Sequence, residues 1–166
     1  DMMRAALKRR DGHVYLMTNG VWPRPVQDYI ASLGFFERRR VGFLFNVLPS
    51  SHYRPEQERT LHETLALVPK KYATLGVTLY ERPSEIAHVF ALAERYGIRR
   101  IRYSVASPNV TDPRTWLLDP ARDFPALASL VHALTMTARA RGLYVHSDCG
   151  YLPPCLFTEA QLADLY

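Results

Sequence analysis

Long apolar runs are missing from this 166-residue chain. No stretch approaches the roughly 20 residues that cross a bilayer as a helix. Cysteine is nearly missing as well. Two thiols, Cys149 and Cys155, cannot form a disulfide framework in a chain of this length, so a reducing cytoplasm is the expected compartment. Residues Asp1 to Arg10 mix charged and apolar groups and hold no signal-peptide core. There is no His-Glu-x-x-His, no Gly-x-Gly-x-x-Gly and no Gly-x-x-x-x-Gly-Lys-[Ser/Thr]. Zinc hydrolysis, dinucleotide binding by the glycine fingerprint and P-loop chemistry therefore find no support. Ser50-Ser51-His52 places hydroxyls beside an imidazole, but no nucleophile elbow surrounds them.

What is present is enough apolar material for a core, 48% of residues, and a basic balance of +5. Arg38-Arg39-Arg40, Lys70-Lys71 and Arg99-Arg100 carry much of that excess, and each run stands just before a strand pattern. Cations in last helical turns complement the helix dipole, which is reason enough for them. The other reading is a face for an anionic partner. No helix interleaves basic and aromatic residues in the manner that tracks a nucleic-acid backbone, so nucleic acid is not favoured.

Five short apolar strand patterns each run into polar residues: His13–Thr18, 42–48, Gly76–Tyr80, Arg100–Val105 and Leu143–Ser147. One helix-length amphipathic segment separates each pair, which is the rhythm of a parallel α/β sheet or barrel. The predicted helices run from about Pro25 to Leu33, from about Pro55 to Pro69, from a cap at Ser84 to Gly97, and from about Pro125 to Arg141 behind Asp123. Arg4–Arg10 reads as a helix tail, and a short helix should follow Thr158. Gly34, Gly97 and Gly142 are expected stops. Residues 1–145 are expected to form the strand-and-helix body, and 146–166 a C-terminal extension carrying Cys149 and Cys155. Five strands cannot close an eight-stranded barrel, so the sheet is open or belongs to a larger body. The proline-bearing segment Ser107–Arg122 is the one long loop.

In such folds functional groups collect where strands end. Thr18-Asn19-Gly20 closes the first strand with a strong turn signal. Asn46 interrupts the apolar run Phe43–Leu48, where a buried amide would need a partner. Ser104 and Ser107-Pro108-Asn109 follow the fourth strand, and Glu81-Arg82-Pro83 reads as a solvated loop. Cys149 and Cys155 are too few for a four-thiolate site, although His146 and Asp148 lie close in sequence.

With these residues laid out, the chain resembles the middle and carboxyl-terminal part of a radical S-adenosylmethionine (radical SAM) protein, from Val14 to about Leu165. The similarity rests on Val14–Gly20, which looks like the Thr-Asn-Gly strand of that family, and on the order of the later strands. It implies an α/β fold of parallel βα repeats forming part of a (βα)6-type partial TIM barrel. It also implies S-adenosylmethionine as cofactor, with Thr18, Asn19, Gly20, Asn46, Ser104 and Ser107 on the cofactor side. Tyr80, Tyr103, Asp148 and Cys149 become candidates on the substrate side. Cys149 and Cys155 correspond to a region that in some members holds an auxiliary cluster.

The family's Cys-x3-Cys-x2-Cys, which holds the [4Fe–4S] cluster, is absent, as is its Gly-Gly-Glu stretch. The resemblance therefore implies a fragment, an ordered portion or a natural short form, with an amino-terminal segment of the same protein as its missing partner. The implied reaction is reductive cleavage of S-adenosylmethionine and radical modification of an unidentified substrate, beyond what this chain alone could do. Two other classes stay open. One is an ordinary αβ-barrel lyase, isomerase or hydrolase using Asp148, His146 and Glu81. The other is a non-enzymatic binding module with a basic face.

Overall fold

The strand patterns become strands because β-branched, aromatic and leucine residues at alternate positions can pack one side of a sheet against helices. The computed structural model describes residues 2–8, 12–79, 86–105, 120–148 and 152–165. The strands are β1 (Val14–Thr18), β2 (Val41–Asn46), β3 (Ala73–Leu79), β4 (Arg100–Val105) and β5 (Tyr144–Ser147). All pair in parallel, in the unbroken order β1-β2-β3-β4-β5. The helices are α1 (Met2–Lys8), α2 (Arg24–Ser32), α3 (Phe35–Arg38), α4 (Pro55–Leu67), α5 (Ala87–Tyr96), α6 (Pro120–Ala140) and α7 (Glu159–Leu165). This is an α/β fold, a five-stranded parallel sheet alternating with helices, consistent with part of a βα barrel.

Strand order decides which side is covered. With right-handed crossovers and no reversal of order, successive helices fall on the same side of the sheet. One core results: Phe43, Phe45, Leu75, Val77, Leu79, Ile101 and Val105 pack with Ile30, Leu61, Leu65, Val89, Phe90, Leu127 and Leu134. Phe45 is fully buried, beside Trp22 and nearly parallel to Phe43. Burying a side chain of that size contributes roughly 1.5–3 kcal/mol. The residues of opposite parity face the other way. Tyr15, Met17 and Tyr144 are 78%, 63% and 72% exposed, which leaves that side of the sheet open. Leu44 is buried there yet stands outside the core cluster.

Several boundaries differ from the sequence reading. β3 starts at Ala73, three residues early, because Ala73 to Leu75 pair with Phe43 to Phe45 of β2. α6 starts at Pro120, so Asp123 lies inside its first turn and not at a cap, and Pro125 is accommodated within the helix. Pro120 suits the first position, where the amide would have no helical acceptor, whereas Pro125, the sixth residue, deprives the helix of one i→i−4 bond. Gly34 is no left-handed stop: its φ is −67°, and it caps α3, a one-turn helix that carries no periodic signal of its own. Gly97 and Gly142 do close α5 and α6 with positive φ. α4 ends before Pro69, with Val68 extended as a residue preceding proline should be.

The expected division at residue 145 falls within β5, which continues to Ser147. Beyond it α7 folds back onto α6. The His132 imidazole meets the Asp164 carboxylate at 2.8 Å, and the Arg139 guanidinium donates to the Asp164 and Leu165 carbonyls. No helix among the described residues is long and apolar enough to cross a membrane.

Candidate functional site

The open face has its own rows, fixed by register. Asn46 stands beside Gly76, Gly76 beside Arg102, and Arg102 beside His146; one step further along, Thr78 stands beside Ser104. Asn46, Thr78 and Ser104 thus lie on the same face near the carboxyl edge of β2, β3 and β4. The Thr78 and Ser104 hydroxyls are 3.3 Å apart. Asn46 is exposed at the end of β2, so its amide needs no buried partner, contrary to the expectation from its apolar surroundings. A Cβ on Gly76 would collide with the Asn46 side-chain oxygen. The missing side chain at residue 76 is what lets the amide lie across β3.

Arg102 and Asp148 form an ion pair on the same face, with their side chains 21% and 24% exposed. His146 is the third polar group there. Partial desolvation, then the Arg102 and Arg100 charges, hold its pKa below the ordinary 6.5. The sign follows directly. Below pH 6.5 the unfolded chain takes up a proton that the folded chain refuses, so this contribution to stability is full above 6.5 and is lost as the pH falls toward the lowered value. In an NMR titration the His146 imidazole should titrate below 6.5. Arg102→Gln should move it only part of the way back, because desolvation is the larger cause. An unchanged midpoint in the variant would show that the Arg102 charge is not felt at the ring.

The other expected site residues divide. Thr18 faces the helices, where its hydroxyl accepts from the Gly20 amide at 3.0 Å and from the Trp22 indole at 2.8 Å. The Asn19 side chain accepts from the Val21 amide at 3.0 Å, and Gly20 turns the chain with φ 78°. The triplet therefore builds the turn that seats Trp22. Tyr103 shares the parity of Ile101 and Val105 and lies on the helix side, away from Asn46. Tyr80, Glu81, Ser84, Ser107 and Cys149 fall outside the described residues. Cys155 is an exposed thiol on the short turn Pro154–Leu156. Thr78 and Arg102 belong to no motif in the sequence. The parity of Val77 and Leu79, and of Ile101 and Val105, is the signal that would have found them.

An adenosyl cofactor offers ribose hydroxyls, an amine and a carboxylate, all hydrogen-bonding groups. The amide of Asn46, which lies over Gly76, and the two hydroxyls fit that chemistry. An iron–sulfur cluster needs soft thiolates. Among the described residues no group of three or more His, Cys, Asp or Glu could hold a metal ion, so they do not fit a cluster.

Neither a protein family nor a curated protein matches the chain in sequence. In structure it is similar to Streptococcus suis SuiB, with a TM-score of 0.63 at 12% identity. The match covers 90% of this chain and 35% of SuiB, so the chain spans about a third of that protein. At such identity the likeness is one of fold.

Proposed function

We propose that this chain is the cofactor-binding wall of a radical SAM enzyme, contributing strands to a (βα)6-type barrel. The observation that carries the reading is the placement of Asn46, Thr78 and Ser104, in two adjacent register rows, on the open side of an all-parallel sheet, at the edge where such folds gather their ligands. The cluster ligands would come from an amino-terminal segment of the same protein, since the described residues do not fit them. When bound, S-adenosylmethionine and the cluster supply the radical chemistry, and the substrate is a molecule modified by it.

This chain's own part is to hold and orient. Asn46 would bond the ribose or methionine portion, and Ser104 with Thr78 would border the adenine. Asp148, held by Arg102, would stand on the substrate side. The helix layer keeps water from the back of the sheet. Anaerobic reconstitution of the full-length protein with iron, sulfide and reductant tests the reading. The expected result is a brown chromophore and 5′-deoxyadenosine from S-adenosylmethionine. A colourless protein that forms no 5′-deoxyadenosine would contradict it.

One observation favours a second reading. His146, Arg102 and Asp148 share the open face, as an acid–base enzyme of the αβ-barrel kind would need. That enzyme would act without reconstitution, so activity in the untreated protein separates the two.

A further inference from the structure

Two of the three basic runs, scattered in sequence, border one cavity. It occupies about 430 Å³ on the open face toward the amino-terminal ends of the strands, with His13, Arg39, Arg40, Arg100, Arg102 and His146 in its lining. Among the described residues no Asp or Glu lines it. The four guanidiniums are differently placed. Arg40 donates to the Gly12 and Leu7 carbonyls, so it contributes charge more than free donors. Arg39 stands over the Phe35 ring. Arg100 spends one donor on the Lys71 carbonyl, and Arg102 pairs with Asp148. Each guanidinium carries five donors, so both retain some for a ligand.

Dipole complementation does not account for Arg102, which lies within β4 and ends no helix. Arg100 and Arg102 share one face two residues apart, about 7 Å along the strand. That spacing suits an anion with more than one charge, because guanidinium matches the two-oxygen edge of phosphate or carboxylate. Cations gathered in a concave surface concentrate anions there, since its low-dielectric walls focus the field.

We propose that Arg100 and Arg102 form a binding site for a multiply charged oxyanion, phosphate or carboxylate, carried by a small-molecule ligand of the open face. Asp148 is its internal competitor: it occupies Arg102 when the ligand is absent and shares it when the ligand is bound. Arg102 shares the register of Asn46 and Gly76, and Arg100 lies two residues nearer the amino-terminal end, so the site adjoins the Asn46 amide and is tested by oxyanion probes whichever cofactor that edge holds.

Calorimetric titration of the full-length protein with inorganic pyrophosphate, and separately with citrate, is the test. The probe that binds more tightly names phosphate or carboxylate as the source. Arg100→Gln with Arg102→Gln should weaken binding at least tenfold. Arg24→Gln with Arg59→Gln removes the same charge from exposed helix surfaces, and should change binding less than twofold. Asp148→Asn should tighten binding severalfold, a gain that no folding defect can imitate. The proposal is overturned if neither probe binds at millimolar concentration, if both double variants weaken binding equally, or if Asp148→Asn leaves affinity unchanged.

Discussion

Replacing Gly20 by alanine should cost the fold about 2–6 kcal/mol, read as a lower urea midpoint at unchanged slope. Two independent effects add. Gly20 has φ 78°, a conformation that costs a residue with a Cβ roughly 1–3 kcal/mol. A Cβ there would also drive into Leu61 of α4 and reach within 3.2 Å of Phe45, both fully buried. Forcing a carbon into a packed core typically costs about 1–3 kcal/mol. If Gly20→Ala instead left stability within about 0.5 kcal/mol, the turn would not be the device that locks β1 to α4. The same variant informs function: a cofactor-touching glycine would lose affinity in the folded protein, whereas a turn glycine loses fold.

Asn46→Ala and Gly76→Ala should produce one phenotype by different routes. The first removes the amide. The second leaves the amide but adds a carbon where its oxygen lies, so the side chain must swing off β3. Both should weaken S-adenosylmethionine binding to the reconstituted full-length protein about tenfold or more, close to the loss of one or two hydrogen bonds in a shielded site, roughly 1.5–3 kcal/mol. Neither should cost much stability, because Asn46 is exposed and the end of a flexible side chain is what moves. A Gly76→Ala protein with full affinity would mean that the amide's place over β3 is irrelevant to binding.

The strands and the helix stops at Gly97 and Gly142 were legible because their causes are local: alternation, caps and glycine conformations. The start of β3 was not, since Ala73 is a poor strand former and the segment begins where pairing with Phe43 and Leu44 extends it. The candidate site was half legible. Asn46 and Ser104 stand out at strand ends, but the side each side chain takes depends on parity against the core. Tyr103 and Arg102 are neighbours in sequence and lie on opposite sides of the sheet. The buried positions of Ile101 and Val105 decide between them. The meeting of Arg39 and Arg100 at one cavity was not legible at all, because it requires knowing the order of strands.

If the chain is the cofactor-binding wall we propose, S-adenosylmethionine lies against the open face. A crystal structure of the reconstituted full-length protein with S-adenosylmethionine measures that directly. The expected result is the adenosyl group on the open side of β2, β3 and β4, with the Asn46 amide about 3 Å from a cofactor oxygen or nitrogen. Density for the cofactor on the helix side of the sheet, or away from Asn46, Thr78 and Ser104, would contradict it.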